Sequence, residues 1–382
     1  MFTRDDTRAL KGAAILLMCM HHLWGFPDRQ PIGDYAITSP TLPFTVCGTD
    51  VFLAVGRFGK MCVAIFLFLA GYGLYKQFAS GKLDLWQKIK SFYVSFWKVF
   101  FIIVPIGFLF FSHQEQLTEQ SVRLYDSFVK FDLKTLIMNC LGLSFSYSAE
   151  WWFVYAYVVS LFFGTVYIVL TRKCSNFYVE LFILAAINAL LYVVIPMFID
   201  QPAFAQIKSS LFYSRYLKMP CVMAFYSGIV FSKYSSLEKI LARLESAHAL
   251  WRSILCLVGL VMVFYLRTFG SGAIYDYLTT PFVIVFILCL IRFSGKKCIL
   301  YSTFQLLGKH SENMWLVHPF FCYYFSFFVR IVFASKNAIV SLLVLVVLSL
   351  VCSIAIDWFY VGIDKIKAWL LSRVPKKARQ AS

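Results

Sequence analysis

Lys11 and His22 stand eleven residues apart in ALKGAAILLMCMHHLWGF, residues 9–26, a run otherwise apolar enough to enter lipid. At 3.6 residues per turn that spacing is close to three whole turns. Both side chains therefore fall on one helix face, about 16 Å apart along the axis, with His21 turned about 80° away. An ionisable group within a span is costly and usually faces protein or a water-filled path. Lysine there can hold an anion, and a neutral imidazole can take a proton near pH 7. Spacing alone leaves two quieter readings open: Lys11 as a snorkelling anchor, and His22 bonded to a neighbouring helix.

Three more residues break the apolar pattern. Glu150 opens the segment SAEWWFVYAY, at a depth expected to match His22. It also reads as a loop carboxylate beside an interfacial tryptophan pair. His318, in GKHSENMWLVHPFF, directly precedes Pro319, and Ser311 lies seven residues earlier on the same face. Ser311 reads equally as a helix N-cap. A proline at that depth loosens the backbone and can help line a cavity.

Composition says what must position these groups. The 382-residue chain is 60% hydrophobic, 19% aromatic and 14% charged, with mean hydropathy +0.73. Soluble domains are roughly half apolar and a quarter charged, so this is an all-α polytopic membrane protein. Crossing the bilayer takes about 20 apolar residues per helix. Ten candidate spans begin near Leu10, Met61, Tyr93, Trp151, Phe177, Met219, His248, Tyr275, Met314 and Ala338. Leu133 to Tyr147 reads as an interfacial or re-entrant segment.

With both termini cytoplasmic, lysine and arginine favour the inner side by roughly two to one, as the positive-inside rule requires. That bias accounts for much of the +17 net charge, so no nucleic-acid partner is implied. Residues 1–365 read as one membrane domain and 366–382 as a basic cytoplasmic tail against lipid headgroups. The first span has no cleavage site after it and reads as retained. The 11 cysteines are scattered, without a CxxC pair, and suggest neither metal nor disulfide framework.

In sequence order, six stretches resemble the acyltransferase-3 family of integral membrane acyltransferases. The basic residue, ten intervening residues and histidine of its first helix fall on Lys11 and His22, with lysine where most members carry arginine. VAIFLFLAGYGLYK is similar to its second-span motif, with Gly71 matching. WQKIKSFYVSFW is similar to its basic lead-in to the third helix, through Lys88 and Lys90. EWWFVYAYVVSLFF resembles its Trp-Phe helix start at Trp152. MPCVMAFYSGIVFSK carries Pro220, Phe225 and Gly228, and LLGKHSENMWLVHPFF carries Gly308, Ser311 and His318.

The resemblance implies an enzyme of the O-acetyltransferase type, at a cell membrane of bacterial kind. It would move an acyl group, often acetyl, from cytoplasmic acyl-CoA to a hydroxyl of a carbohydrate or lipid-linked glycan, with acyl-CoA as donor substrate and no resident cofactor. His22 then becomes the general base with Glu150 orienting it. Lys11, Lys88, Lys90, His318 and Ser311 become acyl-CoA contacts, with His318 nearer the cytoplasm on the pantetheine. Gly71, Trp152, Pro220, Gly228 and Gly308 are expected to be structural. The rival reading is a transporter or flippase for a glycan or lipid, against which stands the lack of related halves.

Overall fold

The computed structural model describes residues 2–31, 36–37, 45–292, 295 and 298–373. Among them the chain is helical nearly throughout; its strands are Thr45–Val46 and Thr49–Asp50, an antiparallel pair closing a turn. The helices are α1 (Arg4–Trp24), α2 (Val51–Gly59), α3 (Met61–Ala79), α4 (Leu85–Phe110), α5 (Glu119–Val129) and α6 (Leu133–Cys140). Next come α7 (Trp152–Thr171), α8 (Phe177–Ala189), α9 (Ile195–Phe198), α10 (Ala205–Ser209), α11 (Met223–Lys233) and α12 (Ser236–Glu245). The chain continues through α13 (Ala249–Tyr265), α14 (Asp276–Ile291), α15 (Ile299–Pro319), α16 (Ser326–Phe333) and α17 (Ala338–Arg373).

Among the described residues, six helical stretches are long and apolar enough to cross a membrane: Val51–Ala79, Leu85–His113, Ala149–Thr171, Phe177–Phe198, Ala249–Gly270 and Ala338–Trp369. Ile299–Tyr324 with Ser326–Phe333, bent by 86°, makes a seventh if the pair is taken as one broken span. This is a multi-pass membrane protein. The ten spans read from the sequence exceed the number that length and composition support. Near Leu10 the helix forms but carries charged residues; near Met219 and Tyr275 the helices have only 11 and 16 residues. The boundary expected at residue 365 falls inside α17, and residues 374–382 of the basic tail lie outside the described residues.

α1 starts on a capping box. Thr3 Oγ1 accepts from the Asp6 N–H at 3.2 Å while the Thr3 N–H donates to Asp6 Oδ2 at 2.8 Å. Asp6 is fully buried and also takes an ion pair from Arg292 and the Tyr301 hydroxyl at 2.7 Å. Two further buried pairs tie the bundle: Arg267 Nε and Nη2 on Asp276 at 2.8 and 3.1 Å, and Lys233 on Glu180. Each removes a charge that the membrane would penalise.

Glycines let two helix pairs touch backbone to backbone. A Cβ on Gly12 would lie 1.9 Å from the Phe304 carbonyl oxygen, and one on Gly308 1.7 Å from that of Arg8. α1 and α15 therefore cross in direct contact. Gly71 and Gly228 do the same for α3 and α11, where added Cβ atoms would meet Phe225 O at 1.9 Å and Phe68 O at 2.1 Å. Small residues at crossings are how membrane helices gain packing that lipid cannot supply. Pro220 begins the turn Pro220–Val222 that leads into α11, where its missing N–H costs nothing.

Gly308→Val should force α1 and α15 apart and cost about 3 kcal/mol or more. In detergent, its melting temperature and monodisperse yield should fall sharply. Gly362→Ala on α17, with nothing within 4 Å, should leave both unchanged.

Candidate functional site

Among the described residues, two cavities with charged linings flank α1. The first, about 230 Å³, contains His21, His22, Arg29, Lys60, Glu150, Trp152 and Arg215 in its lining. The second, about 530 Å³, contains Lys11, Lys82, Lys88, Gln77, Ser311 and Glu312. Phe66, Phe153 and Trp315 line both, so these rings form the shared wall. Phe153 and Trp315 meet edge to face at 5.5 Å between centroids. Lys11 and His22 thus open into successive compartments along one helix, the arrangement that their spacing implies.

α15 supplies what surrounds His22. Its last turn runs through His318 and Pro319 and widens into a π-helical segment, Phe320–Tyr324, before the bend into α16. Proline withholds the donor that would continue a regular helix, and π-turns concentrate at functional sites. The segment places consecutive tyrosines on different site groups. Tyr323 Oη donates to the His22 carbonyl oxygen at 2.5 Å and sits 3.3 Å from His22 Nδ1. Its proton being committed to that carbonyl, the hydroxyl can only accept from Nδ1–H. That leaves the lone pair of His22 on Nε2.

Tyr324 Oη donates to Glu150 Oε2 and accepts from the Ala149 N–H at 3.2 Å. Arg29 Nη1 lies 3.7 Å from Glu150 Oε1, with its guanidinium 3.9 Å above the Phe26 ring. Glu150 sits in the turn Ala149–Trp151 ahead of α7, fixed further by the Trp151 indole N–H donating to Leu316 O at 3.0 Å. Trp152 is the first residue of α7. Glu150 shares the cavity of His22, but the hydrogen bonds on its carboxylate come from Tyr324 and Ser148, and the ring partner of His22 is Tyr323. The direct Glu150–His22 orientation expected from the sequence is replaced by this tyrosine pair.

His318 also differs from its expected place. Its ring centroid lies 4.9 Å from that of His22, level with it, and it lines neither cavity. Fully buried, it points Nδ1 at the Met314 carbonyl oxygen at 3.2 Å, so Nδ1 carries the proton, and its Nε2 meets no hydrogen-bond partner. His21 is pinned to the Gly56 carbonyl oxygen through Nδ1 at 2.8 Å.

In the second cavity the structure brings together Lys11, Lys88 and Ser311 but leaves Lys90 outside, exposed to solvent. Ser311 lies mid-helix, its hydroxyl donating to Gly308 O at 3.0 Å, and is no N-cap. Lys88 Nζ donates to Gln77 Oε1 at 3.2 Å. Sequence reading missed Lys82, Glu312, Arg29, Lys60, Arg215 and the tyrosine pair. The pair follows His318 closely in HPFFCYY, the one signal that could have marked it; the others converge from separate elements and have none.

A family model described as an acyltransferase domain matches residues 6–358. The chain belongs to the acyltransferase-3 family. Neither a curated protein nor a solved structure matches it. Membership covers nearly the whole chain, so both cavities and the shared wall lie within the acyltransferase domain.

Tyr323→Phe removes the acceptor that holds the Nδ1 proton of His22. Acyl-transfer turnover should fall about tenfold with little change in KM for the acyl donor. Nitrogen NMR of the histidine rings should show one ring passing from the Nδ1–H form to a mixture.

Proposed function

We propose that the protein transfers an acyl group, acetyl by preference, from acyl-CoA to a hydroxyl of a carbohydrate or lipid-linked glycan. In this reading ten segments cross the cell membrane, both termini are cytoplasmic, and the Lys11 cavity opens to the cytoplasm. One observation carries the proposal: a lysine-lined cavity and a histidine-lined cavity share a single aromatic wall along α1.

The donor divides along that axis. Its nucleotide end bears phosphates, suited to Lys11, Lys82 and Lys88, whereas its pantetheine arm is narrow and extended. Anchoring the phosphates lets the arm pass between Phe66, Phe153 and Trp315 and present the thioester carbonyl near His22, turning an encounter into a positioned reaction. A lysine acts on phosphate as a point charge, without the bidentate fork of arginine, so several lysines together serve better than one.

At the histidine end the acceptor hydroxyl gives its proton to His22 Nε2 as its oxygen attacks the thioester carbonyl carbon. The carbon–sulfur bond then breaks, and the departing thiolate takes the proton back from the imidazolium, leaving free CoA and an ester. Tyr323 supports the imidazolium through Nδ1–H, and the buried His318 and Tyr324–Glu150–Arg29 set hold the surrounding wall. Transport explains neither this ordered pair of compartments nor the family to which the chain belongs.

His22→Ala should abolish acyl transfer in purified protein, a loss of about a hundredfold or more, while acyl-CoA still binds. Wild-type rates in that variant would remove the assignment. Lys11→Ala and Lys82→Ala should each raise KM for acyl-CoA about tenfold, and Lys90→Ala should not. Lys11→Arg should restore the wild-type KM where Lys11→Gln does not; equal behaviour of the two would argue against phosphate binding.

A further inference from the structure

The histidine cavity is cationic beyond what the chemistry above requires. Arg29, Lys60 and Arg215 enter it from three separate elements, against Glu150 as the acidic group of the lining. Arg29 already faces Glu150 at 3.7 Å, and that carboxylate is engaged by Tyr324 as well. Among the described residues, neither Lys60 nor Arg215 forms an ion pair. Three cations buried between the helices do meet carboxylates: Arg267 with Asp276, Lys233 with Glu180, Arg292 with Asp6. Lys60 is exposed and Arg215 half-buried, and the carboxylate of Asp276, whose charge reaches Lys60, is already paired with Arg267, so the cavity keeps an excess of positive charge within reach of an incoming anion.

Their placement is also constrained. Lys60 sits at the junction of α2 and α3, its N–H capping Arg57 O at 3.4 Å. Arg215 lies in the π-helical turn Tyr213–Leu217, its guanidinium 5.2 Å from the centroid of the Phe145 ring. Stacking on an aromatic face orients the planar donor set without neutralising it.

We infer that the acyl acceptor is an anionic saccharide, whose oxyanion binds Lys60 and Arg215 while a neighbouring hydroxyl faces His22 Nε2. This deepens the proposed function and rests on it. The oxyanion has two chemical sources, a sugar carboxylate or a phosphate linked to the sugar. Both accept charge-assisted hydrogen bonds from lysine and arginine. In the arrangement the anion orients the acceptor and the hydroxyl reacts, so charge sets specificity without entering the bond changes.

The test uses the full chain in nanodiscs of neutral phosphatidylcholine, supplied with acetyl-CoA and one of three short probes. These are a neutral N-acetylglucosamine oligosaccharide, a uronic-acid oligosaccharide of the same length, and a hexose 1-phosphate. Released CoA and acetylated sugar are measured together. At least one anionic probe should exceed the neutral one about tenfold in kcat/KM, and Lys60→Gln and Arg215→Gln should each cut that preference about tenfold. Preference for the uronic acid alone identifies the carboxylate source; preference for the hexose phosphate alone identifies the phosphate. Equal or better use of the neutral probe overturns the inference while leaving acyl transfer intact.

Absence of CoA release with every probe would instead count against the proposed function. A second measurement then still decides the binding claim. Without acetyl-CoA, an anionic probe should raise the melting temperature of the wild type and not of Lys60→Gln/Arg215→Gln. No difference between anionic and neutral probes in that experiment overturns the inference.

Discussion

The contact on which the site depends is the crossing of α1 and α15, where Gly12 and Gly308 remove the side chains that would hold the backbones apart. Everything chemical hangs on that crossing. Toward one end of the pair, Lys11 from α1 and Ser311 and Glu312 from α15 line one cavity. Toward the other, His22 meets His318 and Tyr323. A rigid crossing fixes both ends at once, so the separation of the lysine and histidine compartments is set by helix geometry rather than by loops. Rigid elements hold reacting groups more closely than loops can, which suits a reaction whose donor must be gripped far from where it is cleaved.

The break in α15 adds what a straight helix could not. A regular turn places successive residues about 100° apart, and continuing it past Pro319 would have carried the chain on in line. The π-helical segment and the 86° bend instead set Tyr323 against His22 and Tyr324 against Glu150 from adjacent positions. Two hydrogen-bond partners of the site therefore come from one local distortion. The neighbouring imidazole of His318, without a partner on Nε2, belongs to the same distorted end.

Periodicity carried part of this and could not carry the rest. The pairing of Lys11 with His22 follows from a turn count within one helix, and the glycines of α3, α11 and α15 came with the family resemblance. The helical, lipid-embedded character follows from composition. Span number was less legible, because α11 and α14 are short and α1 carries charge, so that apolar length alone does not define them. The depth of His318 was misjudged because the ninth span was taken to begin near Met314, whereas α15 begins at Ile299 and carries His318 in its last turn. Lys90 was paired with Lys88 through the resemblance of their stretch to the family's basic lead-in, yet two residues on a helix point about 200° apart, and only Lys88 reaches the cavity. Arg29, Lys60 and Arg215 come from regions with no shared pattern; only tertiary packing assembles them.

The central claim is that one donor molecule occupies both compartments at once, phosphates by Lys11 and thioester by His22. An experimental structure of the full chain with a thioether analogue of acetyl-CoA, which cannot be cleaved, tests it most directly. The account predicts phosphate density beside Lys11, Lys82 and Lys88, a pantetheine arm threaded between Phe66, Phe153 and Trp315, and the analogue's carbonyl within reach of His22 Nε2. An analogue bound with its acyl end confined to the lysine cavity, the aromatic wall closed in front of it, would contradict it.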